Sequence, residues 1–327
     1  MKGIKKIQAY SIAAFLLLSA CGHAGNEPKE APKPSAEKDT LEVSPKDSLS
    51  LNNDDTLTTV VTKEGPKEVL LRFNLQKGST YGYNIDMDLS QQVQDRKINT
   101  GMNWQYSLDV MNETKGIKLV RVTYDRIAMS MNMGGQKMEF SSDAPAGDAS
   151  NPLNMVNHLF SSMKGKSFTM NVDPKGEIRE VKGLDELGEG LVAGLKLSPE
   201  LKQRMLKDFQ TKFNANDVKE TFSQTFSMLP GKKVKQGDTW QKESETRMGP
   251  AKGRLVCTYT VQSVTGNLVR LSGKGHLLSI DGKAIGTQHS RLTVDATTGL
   301  VLQNVFDMNT EGPNQVSTHG SITGKKL

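Results

Sequence analysis

The chain has 327 residues, with 42 Lys and Arg against 36 Asp and Glu and only two cysteines. Its formal net charge of +6 is small and spread along the chain, so it lacks the concentrated basic footprint of a nucleic-acid binder. Its two cysteines, Cys21 and Cys257, do not make a disulfide framework.

The N-terminus starts with Lys2, Lys5 and Lys6 and continues as a short apolar run from Ile7 to Leu18. These are the charged and hydrophobic regions of a secretory signal, too short for a permanent membrane span. Leu18-Ser19-Ala20-Cys21 follows, matching the bacterial lipobox. Residues 1–20 are therefore expected to be removed, with Cys21 as the lipid attachment point. Several acyl chains on one residue hold a protein on a membrane at about 0.8 kcal/mol per buried CH₂. Removal takes away three lysines and no acid, so the net charge falls from +6 to +3. It also leaves Cys257 without an intrachain partner, in a strand-like context where it reads as a small buried apolar residue.

From residue 21 to residue 65 the chain is rich in Pro, Glu, Lys, Asp, Ser and Thr, a composition that cannot bury enough surface to offset ordering. It reads as a disordered tether with a reach of roughly 35–40 Å. Within it Asp39-Thr40-Leu41, Asp47-Ser48-Leu49 and Asp55-Thr56-Leu57 recur every eight residues. The triplet is similar to the sequon on which Bacteroidota-type bacteria place O-glycans, which makes Thr40, Ser48 and Thr56 candidate acceptors.

Beyond residue 65 strand signals dominate. Runs such as "YGYNIDMDLSQQV", "NWQYSLDVMN", "IKLVRVTY", "RIAMSMNM", "RLVCTYTVQSV" and "LVLQNVFDMNT" are separated by turn clusters such as "NETKG", "DPKG" and "DATTG". Three stretches echo one another in the same order. Leu75–Tyr81 resembles Val234–Trp240, the strands of 106–122 resemble those of 259–271, and Val172–Gly176 resembles Val294–Gly299. The expected fold class is α+β, mainly β with a helical insert, as two similar antiparallel β units at 66–183 and 230–327 around a helical segment at 184–229. Helical signals are Asn151-Pro152 with Met155, Leu159 and Met163; Leu184 to Leu195; Ser198-Pro199 with Leu201, Met205, Phe209 and Phe213; and Asp217 with Glu220 in capping-box spacing before Phe222 and Phe226.

The sequence has no G-x-S-x-G, H-E-x-x-H, C-x-x-C or EF-hand loop, and its five histidines show no metal-ligand spacing, so no catalytic residue, metal site or cofactor is assigned. "GKS" at 165–167 lacks the first glycine of a phosphate loop, and "GEGLVA" at 188–193 lies in a leucine-patterned helix. Methionines stand out instead: Met129, Met131 and Met133 share one strand face, with Met155 and Met163 on the neighbouring helix. Pliable thioether side chains suit an apolar groove for irregular lipids or variable partner surfaces, and equally suit ordinary core packing.

"VTYDRIAMSM", "GKSFTMNVDPKGEIREVKGLDEL", "LPGKKVKQGDTW" and "LTVDATTGLV" resemble a family of uncharacterised Bacteroidota lipoproteins grouped as a domain of unknown function. The resemblance implies an envelope address and a β-rich body, and carries no catalytic residue. Gly22 after the lipidated cysteine implies an outer-membrane lipoprotein, and the lack of an acidic run there implies its periplasmic face. The expected partners are the membrane, through the N-terminal lipid, and a lipid-like ligand or envelope protein, without nucleic acid. The favoured function is a non-catalytic binding scaffold. Its alternatives are a carboxylate-using envelope hydrolase, which requires a polar cleft with convergent Asp, Glu or His, and a structural or assembly module of the envelope.

Overall fold

The structure, a computed structural model, describes residues 68–93, 96–145, 152–193, 195, 197–248, 251–312 and 315–327. The signal segment, Cys21 and the three glycan candidates lie outside these residues. The first half contributes β1 (Val69–Leu71), β2 (Thr80–Val93), β3 (Arg96–Thr114), β4 (Ile117–Met133), β5 (Gln136–Ser141), helix α1 (Pro152–Met163), β6 (Ser167–Val172) and β7 (Ile178–Lys182). Helices α2 (Leu184–Ala193), α3 (Pro199–Lys212) and α4 (Ala215–Phe226) come next. The second half contributes β8 (Lys232–Val234), β9 (Thr239–Met248), β10 (Ala251–Thr265), β11 (Leu268–Ser279), β12 (Ala284–Asp295), β13 (Leu300–Thr310) and β14 (Val316–Lys326). The chain is mainly β with four helices among the described residues, the α+β class expected.

One antiparallel sheet holds almost all the strands, in the order β7-β6-β4-β3-β2-β14-β13-β12-β11-β10-β9, with β5 on the far half of β4. The join between the two halves is the pairing of the last strand, β14, with β2. A separate two-stranded ribbon, β1 with β8, links the entries to the two halves. Helix α4 packs against both β7 and β9, the two edges of the sheet. The sheet therefore curls until both edge strands meet the same helix.

Local chemistry explains the connections. In the segments before β2 and β9 the N–H groups of Gly78 and Gly237 donate to the carbonyls of Val110 and Val261, at 2.8 and 2.9 Å. At the β6–β7 and β12–β13 turns, Asp173 and Asp295 accept from N–H groups two residues ahead, both at 2.9 Å. Gly176 (φ +81°) and Gly299 (φ +69°) follow in the left-handed region, and a Cβ at either would lie 2.0 Å from the Phe226 carbonyl oxygen or 2.2 Å from that of Arg72. These turns need glycine for both conformation and space.

The helices begin where their caps allow. Ser198 caps α3 by accepting from the N–H of Leu201, with Pro199 in the first turn. For α4 the cap is Asn214, not Asp217: its side-chain oxygen accepts from the N–H groups of Asn216 and Asp217, while its amide donates to the Asp217 carboxylate at 2.7 Å. Asn214 is extended and already makes the capping interaction, so the helix starts one turn earlier than the spacing of Asp217 and Glu220 suggests. Leu201, expected on the apolar face of α3, is exposed, while Phe213 at the other end is buried.

The core has two parts. The larger fills the curl with Tyr81, Leu108, Val122, Phe168 and the α4 residues Val218, Phe222 and Phe226. The smaller lies under α1 and joins Trp104, Ile127, Met129, Phe140, Phe160 and Met163.

Candidate functional site: a helix-covered cavity

Strand register places the inward side chains in rows across the curled sheet. Nearest the solid core, Ile85, Ile322, Asn304, Leu292 and Leu271 are successive partners on β2, β14, β13, β12 and β11. The next row is Met102, Met87, Gly320, Phe306 and Ser290, which continues through Gly273 to Tyr259. One step further lie Thr100, Leu89, Thr318, Met308 and Gln288, then Gly275, Cys257 and, on the edge strand, Lys242. Gln91, opposite Val316, marks a fourth level. Each level is two residues along a strand, so the four levels span about 20 Å.

These rows enclose a cavity of about 250 Å³ whose lid is α4, with Asp217, Glu220, Thr221, Phe222, Ser223 and Thr225 on the lining side. Two glycines of β11, Gly273 and Gly275, face inward among larger neighbours. Gly320 sits under the Phe306 ring, where an added Cβ would lie 2.3 Å from a ring carbon. The small residues let the sheet curve closely and leave the lumen to be shaped by Met87, Met102, Met308, Phe306 and Leu255.

The cavity is apolar with polar interruptions. Among the described residues ten polar or charged side chains are buried, and six of them line it: Gln91, Thr100, Asp217, Thr246, Ser290 and Thr318. The Ser290 hydroxyl and the Asn304 side-chain oxygen, both cavity-lining, have no hydrogen-bond partner. Burial raises the Tyr106 and Tyr259 phenols above their ordinary range, so both stay protonated. The Cys257 thiol is raised for the same reason, partly offset by a hydrogen bond with Tyr259. Burial lowers Lys242, with the Glu177 carboxylate opposing that shift and the Lys175 charge adding to it.

The methionines singled out in the sequence sit elsewhere. Met129 and Met163 are buried in the core under α1, Met131 is half-buried and Met133 is exposed. The side chain of Met155 lies outside the described residues. Met129 also borders a more open hollow of about 540 Å³, lined by Asp86, Asn103, Arg126 and Glu139. The cavity uses Met87, Met102, Met228 and Met308 instead. A signal for it was available in the inward positions of β11, β12 and β14, where glycine, serine and threonine replace the expected large apolar residues.

Carboxylate pairs lie on polar surfaces. Asp185 and Glu186 are exposed in the first turn of α2, and Asp86 is held by the Asn84 and Asn103 amides on the outer face. Asp125 is exposed at the surface, yet desolvation by neighbouring groups raises its carboxyl; the hydrogen bond from the Ser107 hydroxyl opposes that shift and the charge of Asp109 adds to it. Among the described residues no three His, Cys, Asp or Glu side chains converge as metal ligands. No helix among them is long and apolar enough to cross a membrane.

Fold and site together define a curled antiparallel sheet with a helix laid over a partly open cavity. The chain belongs to a family of unknown function, DUF6263, whose model matches residues 115–301, more than half of its length. All four sequence stretches that carried the family resemblance fall inside that range. No curated protein matches the chain. A crystal structure of a DUF1329 family protein from Desulfovibrio piger is similar over 75% of this chain and 85% of its own, at 11% identity and a TM-score of 0.13, a likeness that carries no argument.

Proposed function

We propose that this protein is a non-catalytic binding scaffold that holds a lipid-like molecule in the cavity between the curled sheet and α4, while a lipidated Cys21 tethers it to the outer membrane on the periplasmic side. The observation that carries the reading is the cavity itself: apolar walls about 20 Å deep from level to level, a few placed polar groups, and one helix as a lid. That depth exceeds the roughly 15 Å occupied by the acyl chains of one bilayer leaflet. The lipobox, the polar tether and the Bacteroidota lipoprotein resemblance support the address. A protein carried near lipid by its own anchor meets such ligands at high local concentration.

Native mass spectrometry of the full protein, purified gently from its own host, tests the reading. A bound species of lipid mass that is lost when the cavity is filled by Gly275→Leu supports it. A protein that carries no such species, and takes up none from vesicles of host lipid, overturns it.

A further inference from the structure

The polar groups inside the cavity say what kind of amphiphile it takes. Buried polar atoms in folded proteins are almost always hydrogen-bonded, and leaving one unmade costs about 1–3 kcal/mol. Here six of the ten buried polar side chains among the described residues gather around one lumen. Ser290 is buried to 6% exposure, and its hydroxyl lies over Gly273, beside Tyr259 and Cys257, without a partner. Asn304 stands one row deeper on the adjacent strand, flanked by Leu292 and Ile322, and its side-chain oxygen is also unpartnered. As diagonal neighbours on one sheet face the two are about 7–8 Å apart, within reach of a single head group.

Charge narrows the choice. Among the described lining residues Lys242 is the one cation, set against Asp217, Glu220 and Glu243. Glu243 is paired with Arg254 at 2.8 Å. A carboxylate or phosphate ligand would find a single cation, Lys242, among the described lining residues and none beside Ser290 and Asn304 in the two deepest rows, and a plain hydrocarbon would leave the serine and asparagine unpaired. We propose that the cavity selects a neutral amphiphile bearing hydroxyl or amide groups, of monoacylglycerol-like chemistry, whose polar group bonds Ser290 and Asn304 while its chain runs outward past Met87, Leu89 and Met308 toward Val316. This rests on the lipid-binding reading above and specifies its ligand class.

The test uses the full protein loaded with the neutral fluorophore N-phenyl-naphthylamine and displaced in turn by monopalmitin, palmitate and hexadecane. Monopalmitin is expected to displace at a concentration at least tenfold lower than palmitate, equivalent to about 1.4 kcal/mol. The double variant Ser290→Ala, Asn304→Leu should keep the fluorophore and lose that preference. Its melting temperature should change little, since the Ser290 hydroxyl and the Asn304 side-chain oxygen that it removes are unpartnered; if it does not fold, Ser290→Ala alone should halve the preference or more. Palmitate binding as well as monopalmitin, or a variant that retains the preference, overturns the ligand class while leaving lipid binding intact. Ordered waters on Ser290 and Asn304 that persist with monopalmitin bound would also overturn it. Failure of the fluorophore and of all three competitors to bind would instead remove the lipid-binding reading itself.

Discussion

Truncating Phe222 to alanine tests whether α4 is an integral lid. Phe222 is 7% exposed and reaches from α4 into the larger core. Its ring lies edge-on to Tyr106 at 5.5 Å and to Phe168 at 6.0 Å, and 5.8 Å from Phe226 on its own helix. Phe→Ala in a packed core costs about 3–5 kcal/mol, and the two edge-on partners place Phe222→Ala near the top of that range. With a urea m-value of about 3 kcal/mol/M for a unit of this size, the unfolding midpoint should fall by about 1.5 M. The same variant merges the space left by the ring with the cavity, so the fluorophore should still bind, with a changed emission maximum. A midpoint shift below about 0.5 M would mean that α4 is not packed on the sheet as described, and the helix-covered cavity would go with it.

Other consequences follow from the turns, the ion pairs and the tether. Gly176→Ala combines a left-handed backbone with a Cβ 2.0 Å from the Phe226 carbonyl oxygen; it should cost about 2–4 kcal/mol, read by the same urea titration, whereas Gly231→Ala, with open space around it, should cost only about 1 kcal/mol. Burial alone would raise Asp173, but the N–H of Glu177, the Arg179 guanidinium and the N–H of Lys175 together hold its carboxyl below the usual range. Its stabilisation is therefore present above the ordinary aspartate pKa and is lost as pH falls through the depressed one; Arg179→Ala should shift acid unfolding to higher pH, and an unchanged acid limb would contradict the assignment. In the native host Thr40, Ser48 and Thr56 should carry glycans, so replacing all three by alanine should remove excess intact mass and speed cleavage of the tether; a native mass equal to polypeptide plus acyl chains would refute this.

The β-rich class, the turn positions and the helix starts at Pro152 and Ser198 were legible because each rests on local chemistry: alternation, Asx turns, proline and caps. "IKLVRVTY" and "RIAMSMNM", which read as two strands, are one strand, β4, because the interruption at Asp125 is a bulge that shifts register by one residue against β3. Strands β9 and β14 gave weak signals for a related reason. Lys242, Ser244 and Thr246 on β9, and Thr318, Gly320 and Gly324 on β14, occupy the inward positions where a packed sheet would show valine or leucine. A strand that lines a partly polar cavity loses the contrast between its faces, and alternation fails where the site lies. The Met129, Met131 and Met133 stripe lies away from this cavity for the converse reason. A run of large apolar residues marks the place where α1 fills the space, whereas the cavity forms where such residues give way to glycine, serine and threonine.

Under the proposed function a lipid-like molecule occupies the space between α4 and the curled sheet. Photolabelling addresses it most directly: the full protein is irradiated with a diazirine-bearing monoacylglycerol and the labelled peptides are mapped. Labels are expected on β12, β13 and α4, at residues around Ser290, Phe306 and Phe222, competed away by excess unlabelled monopalmitin. Labels confined to exposed apolar residues such as Leu268 and Ile280, and unaffected by competitor, would contradict it.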